Sequence, residues 1–262
     1  MATGRGGRRV VLRIGLAALA LLGAWWWMTR RAPPRVAPPG PRIAVVLDDW
    51  GYNTRNLPAL TRLHRRVTVA VLPRLPYSST VARQARAAGC EVILHLPMES
   101  HRRDTNPGFR MEAKTILTSM PDREVADNVA EALASVPGCR GASNHQGSKG
   151  TEDARVMREV LRQLQARRLY FLDSLSTPRS VARTVARAVG VPYARRQRFL
   201  DNENRVPYIE AQVRRLVDDA RAHGAAIGIG HDRPVTLAVL ERLLPQLEAQ
   251  GVRCVYVSDL VK

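Results

Sequence analysis

From Arg42 onward, short apolar runs alternate with amphipathic stretches of helical length, and this alternation restricts the chain to a narrow set of folds. Strand-like runs fall at 43–47, 67–72, 91–95, 141–144, 170–173, 226–229 and 253–257, with a weaker one at 193–199. Helical spacing covers 79–88, 122–134, 151–167, 206–223 and 235–250, with Gly89, Gly224 and Gly251 placed to end three of them. Strands separated by helices of this length form βα units on a parallel sheet. Seven or eight units favour a distorted (β/α) barrel over an open doubly wound sheet. The first strand is not followed by a Gly-x-Gly-x-x-Gly turn, which argues further against a dinucleotide fold.

The polar residues sit at one end of this pattern. The first strand runs into Asp48-Asp49-Trp50, the third into His95-Leu96-Pro97-Met98-Glu99, and the fourth into Asn144-His145-Gln146-Gly147-Ser148. The fifth ends in Asp173 and the seventh in His231-Asp232. In α/β barrels the C-terminal ends of the strands meet at one mouth, where catalytic groups gather. One carboxylate and two imidazoles make a three-ligand divalent site with a position left for water, and zinc suits that set best. A second carboxylate, off the metal, can take the water's proton, and a further His can protonate a leaving group. Adjacent Asp48 and Asp49 point to opposite sides of a regular strand, but a bend at the strand end brings both into one site.

The first 31 residues read as a signal or membrane anchor. Four Arg lie in residues 1–13, and Ile14 to Met28 is an unbroken apolar run of 15 residues ending in three Trp. An uncleaved inner-membrane anchor is preferred to a cleaved signal, and either implies an exported, periplasmic protein. Residues 32–41 form a Pro-rich linker, and the folded domain occupies 42–262. The formal charge is +18, carried almost wholly by Arg. Aromatics are 5% and no basic run is interleaved with them, so nucleic acid is not an expected partner. Three separated Cys suggest neither a zinc knuckle nor a disulfide framework.

In their order along the chain, VVLDDWGYN (45–53), VAVLP (69–73), LHLPMES (94–100), GASNHQGSKGT (141–151), YFLDSLS (170–176) and IGIGHDRP (227–234) resemble the divergent polysaccharide deacetylases. That YibQ-type family is a distant branch of the carbohydrate esterase family 4, or NodB-homology, deacetylases. The resemblance implies a distorted barrel and metal-dependent removal of N- or O-acetyl groups from an envelope polysaccharide or peptidoglycan. It implies Asp48 as the base, and Asp49 and His95 as metal ligands. Where the wider superfamily has a second His in the third-strand motif, this chain has Glu99. His145 is the preferred third ligand and Glu99 the alternative. Asp173 is expected to orient and charge His231, the general acid. Asn144 and Ser148 either bind substrate or shape their turn, and Trp50 either stacks on a sugar or packs beneath the site. A catalytically impaired protein of the same fold, binding an envelope glycan or a partner, is the alternative function.

Overall fold

The computed structural model describes residues 40–262, apart from 64–66 and 107. The expected anchor and most of the linker therefore lie outside the described residues, as does His64. Among the described residues, no helix is long and apolar enough to cross a membrane.

The sheet is built around β1 (Arg42–Trp50). β2 (Val67–Val71), β3 (Glu91–Met98), β4 (Gly141–Gln146), β5 (Tyr170–Asp173) and β6 (Tyr193–Arg195) follow in order on one side of it. β8 (Ala225–His231) and then β7 (Arg198–Phe199) lie on the other side. All of these pairings are parallel. The short β9 (Arg253–Val255) pairs with Arg42–Ala44 of β1, whose later residues pair with β2. The two ends of the path, β6 and β7, are consecutive in the chain. Between them, the Arg196 N–H donates to the Asp173 carbonyl at 3.0 Å and the Gln197 N–H to the Ile227 carbonyl at 2.9 Å. One extended segment thus borders β5 with its first half and β8 with its second, and closes the distorted barrel along a seam.

Helices α1 (Leu57–Leu63), α2 (Ser78–Ala87), α4 (Asp122–Ser135), α5 (Ala154–Gln165), α6 (Ala182–Val189), α7 (Val206–His223) and α8 (Pro234–Ala249) connect the strands, with a single turn, α3 (Arg102–Thr105), after β3. α5 starts three residues later than its pattern predicts, because Asp153 accepts from the N–H groups of Arg155 and Val156 and caps it there.

Side-chain alternation sorts the strands into two layers. Ile43, Val45 and Leu47 pack outward against the helices, whereas Ala44 and Val46 pack inward with Ile93, Tyr170, Leu172, Ile227 and Ile229. Counting on by twos from the inward residues gives Asp48 on β1, His95 on β3 and His231 on β8. The two-layer core therefore fixes which polar side chains reach the barrel mouth. At the opposite end the buried Glu91 carboxylate accepts from Thr68 Oγ1 at 2.9 Å and Tyr170 Oη at 2.7 Å, filling the base with paired polar groups.

Candidate active site

β1 delivers two carboxylates to the mouth through a local irregularity. Its register with β2 shifts between Leu47 and Trp50, and Asp49 takes a left-handed backbone with φ 66°. Asp48 continues the inward row, and the bend at Asp49 turns the second carboxylate to the same side. Trp50 is then directed into the outer layer, where it is fully buried. It is a packing residue and presents no face to a sugar.

His95 lies on the inward row of β3 and is almost fully buried. Its Nδ1 faces Ser143 Oγ at 2.8 Å, which turns Nε2 to the mouth. There Nε2 is 3.4 Å from Asp48 Oδ2, 3.4 Å from Asp49 Oδ1 and 3.3 Å from His145 Nδ1. His145, on β4, puts the same Nδ1 3.1 Å from Asp49 Oδ1. One donor atom each from Asp49, His95 and His145 thus fall within 4.8 Å of one another. Burial acts to raise the Asp49 pKa, but the His145 and His95 imidazoles beside it outweigh this and hold the carboxyl far below its usual range. Burial would also depress His95, yet the charges of Asp48 and Asp49 push it up. Asp48 is raised, mainly because it is buried.

His231 closes the site from β8, in register with Asp48. Its partner is Asp201, not Asp173. Asp201 Oδ1 lies 2.7 Å from His231 Nδ1, and Oδ2 accepts from the His231 N–H at 2.9 Å and from Thr236 Oγ1 at 2.7 Å. Asp201 is fully buried, and Phe199, two residues earlier, stacks on the His231 ring at 6.1 Å. Burial would lower the His231 pKa, but the Asp201 hydrogen bond and charge raise it. Asp173 fails to reach His231 because of its parity. Tyr170 and Leu172 face inward, so Asp173 points outward, where it accepts from the Leu175 N–H at 2.8 Å, Ser180 Oγ at 2.7 Å and Tyr193 Oη at 3.2 Å. Asp201 lies just past the weakest strand run, and extending the strand-end argument to that run would have exposed it.

For three other residues the sequence left two roles open. Glu99 is not at the donor cluster. Its carboxylate accepts from the Thr118 N–H and Oγ1, both at 2.7 Å, and from Lys149 Nζ and Arg103 Nη1, both at 3.2 Å. The Asn144 side chain is spent on its turn, donating to the Gln146 carbonyl at 2.8 Å and accepting from the Ser174 N–H at 2.8 Å. Ser148 Oγ likewise accepts from the His101 N–H at 3.1 Å and sits 3.1 Å from Ser100 Oγ. These two residues shape the loops around the mouth.

A family model for divergent polysaccharide deacetylases matches residues 45–261. The chain belongs to the divergent polysaccharide deacetylase family. An uncharacterized protein of Escherichia coli (strain K12), YibQ, is 34% identical over 206 residues, which are 79% of this chain and 63% of that protein. The chain therefore spans less than two thirds of that relative. Uncharacterized protein ATU2773 from Agrobacterium tumefaciens C58 superposes with a TM-score of 0.80 at 25% identity, over 89% of this chain and 94% of that one. A mutant of BA3943, described as a CE4 family pseudoenzyme with restored enzymatic activity, superposes with a TM-score of 0.53 at 14% identity, over 85% of this chain and 68% of that one. That last likeness shows a shared fold alone. In this family member, the donor set suits a divalent cation. Asp49 Oδ1 is buried without a hydrogen-bond partner, and two imidazole nitrogens face it and each other.

Proposed function

We propose that the chain is an exported hydrolase that removes acetyl groups from an envelope polysaccharide or peptidoglycan. The observation that carries this reading is the convergence of Asp49, His95 and His145 within 4.8 Å, beside a buried second carboxylate and a carboxylate-paired imidazole. Asp49, His95 and His145 would hold one divalent ion, with zinc preferred for a carboxylate and two imidazoles. When bound, such an ion supplies a Lewis acid for the acyl oxygen and lowers the pKa of an attacking water towards ~7.

The remaining chemistry belongs to the chain. Asp48, with Oδ1 buried and free of hydrogen bonds, accepts the proton of the attacking water. His231 Nε2, the ring nitrogen not engaged by Asp201, carries the proton that the departing amine or alcohol needs. Asp201 fixes the tautomer and orientation of that ring. Ser143 does the same for His95 by engaging Nδ1 and leaving Nε2 to the ion.

The full chain should bind zinc with one-to-one stoichiometry and release acetate from acetylated chitooligosaccharides or peptidoglycan. Asp49→Ala and His95→Ala should lose the ion, whereas Asp48→Asn should keep it and lose at least ~100-fold in turnover. Full activity of Asp48→Asn would refute the base assignment. Ion binding without acetate release from any acetylated glycan would favour a binding protein of the same fold.

A further inference from the structure

We propose that an uncharged groove between α1 and α2, leading away from the barrel mouth, binds the sugar units of a neutral polysaccharide beyond the unit being deacetylated. This inference rests on the carbohydrate reading above and narrows its substrate to chains without carboxylates.

The groove has a volume of about 740 Å³, within the ~300–1,000 Å³ typical of ligand sites. Pro58 and Thr61 line it from α1, and Tyr77, Thr80, Gln84 and Ala87 from α2 and the residue before it. The α2 positions recur at steps of three and four, so they form one face of that helix. None of the lining residues is charged. In a chain with 41 Lys and Arg against 23 Asp and Glu this has a local cause, because the arginines of both helices are drawn to other faces. Arg62 pairs with Glu241 of α8 at 3.0 Å, Arg83 donates to Ser79 one turn back, and Arg86 lies against Gly138. The side chains of Thr61, Tyr77, Thr80 and Gln84 have no hydrogen-bond partner among the described residues, which leaves three hydroxyls and an amide for a ligand.

The upper end of the groove joins the loop that carries the active-site carboxylates. Thr54 lines that end, and it follows Asp49 by five residues, which limits their Cα separation to ~18 Å. The Tyr77 N–H donates to the Gly51 carbonyl at 3.2 Å. Gly51 has φ 122°, and a Cβ there would lie 3.3 Å from both the Leu72 carbonyl and Ser78 Oγ. A glycine therefore lets the loop lie directly against the start of α2. Three large apolar side chains are exposed among the described residues, and Tyr52 and Tyr77 are two of them. They flank the Gly51–Tyr77 contact, between the donor cluster and the groove. Burial, the hydrogen bond to Glu112 and the charges of Glu112 and Asp49 raise the Tyr52 pKa, so its phenol stands within electrostatic reach of that cluster.

The lining selects the kind of ligand. A tyrosine ring offers an apolar plane to the C–H face of a sugar and a hydroxyl to its rim, and Thr and Gln supply further bonds to sugar hydroxyls. An anionic chain finds no cation here, which disfavours peptidoglycan, whose stem peptides bear carboxylates. An amphipathic helix needs apolar pockets for its anchors, but Leu57 is buried and the other apolar side chains are Pro58 and alanines.

The test titrates the full-length chain in detergent micelles with chitobiose and chitohexaose by calorimetry, and follows acetate release from both. Wild type should bind chitohexaose about tenfold or more tighter than chitobiose, the worth of one or two added hydrogen bonds. Y77A/T80A/Q84A should remove most of that preference, and leave chitobiose binding and acetate release from chitobiose unchanged. Alanine favours a helix and Tyr77 makes no side-chain capping bond, so the fold is kept. T80R, which places a bulky cation in the groove, should remove the preference in the same way. A preference absent from wild type, or undiminished in both variants, would overturn the proposal even if acetate is released. No acetate release, with a preference that both variants abolish, would overturn the hydrolase reading and leave the groove as a glycan site. Tighter binding of peptidoglycan fragments than of chitohexaose, lost in the same variants, would overturn the choice of a neutral chain.

Discussion

Replacing Asp201 by Asn isolates the pairing that sets the state of His231. The wild-type carboxylate makes three hydrogen bonds, to His231 Nδ1 at 2.7 Å, to the His231 N–H at 2.9 Å and to Thr236 Oγ1 at 2.7 Å. Asn keeps the shape but offers one acceptor oxygen and no charge. A hydrogen bond to a charged group contributes about 1.5–3 kcal/mol, and about 1.4 kcal/mol corresponds to one pKa unit. The carboxylate favours the imidazolium, so its loss must lower the His231 pKa, by about one to two units on those figures. The stabilisation from a raised histidine is complete below its unfolded value and lost as pH rises through the folded one. The stabilisation from the depressed Asp201 is lost in the other direction, as pH falls. The stability deficit of Asp201→Asn should therefore be largest between about pH 4 and 6.5 and shrink on the alkaline side. Proton NMR of the ion-free protein reads the His231 titration directly, with the resonance assigned by comparison with His231→Gln. In turnover assays the alkaline limb should move to lower pH by the same interval. A His231 pKa unchanged to within a few tenths of a unit, or one that rises, would refute the pairing.

Other consequences can be checked independently. Glu99→Gln should leave zinc affinity unchanged by calorimetry but destabilise the fold by about 1.5–3 kcal/mol at neutral pH, because it weakens the ties to Thr118 and Lys149. Those ties, with burial opposing them, hold the Glu99 pKa below the usual carboxylate range, so the deficit should fade as pH drops through that range. Trp50→Ala should cost about 3–5 kcal/mol in urea unfolding, since a fully buried indole leaves a cavity. Arg196 donates to the Ser174 carbonyl at 2.8 Å and the Leu175 carbonyl at 3.1 Å while lying 3.7 Å over the Phe199 ring. Arg196→Ala should speed hydrogen exchange at the Gln197 and Leu200 amides, and Lys should not restore protection because it lacks the planar fork.

The barrel was legible because its strands carry near-continuous apolar runs and its long helices end at glycines. The strand 170–173 and the helix 206–223 have the bounds expected from the sequence. α1 and α6 were not anticipated, although Ala182, Val185, Ala186 and Val189 stand at helical spacing. The gathering of Asp and His at one edge was legible from strand-end positions, whereas the choice of Asp49, His95 and His145 as the converging set came from the family resemblance. Their companions were harder to read, for two reasons. Distinguishing Asp173 from Asp201 needs the inward or outward parity of each strand, which follows from the two packed layers rather than from local pattern. β7 is also only two residues long, so its polar extension carried little signal. Trp50 is buried through the bend at Asp49, a backbone feature that side-chain identities do not announce.

The seam has a consequence for how the two halves of the chemistry are held. His231 and the three converging donors all belong to the unbroken ladder from β4 through β1 to β8. Asp201 instead follows β7, which is fastened to β8 through Arg198 and Phe199. The clasp of the ring thus carries the carboxylate that sets the proton affinity of His231, while Asp49, His95 and His145 sit on the continuous arc. Loosening the clasp would retune that imidazole and leave the spacing of the other three side chains in place.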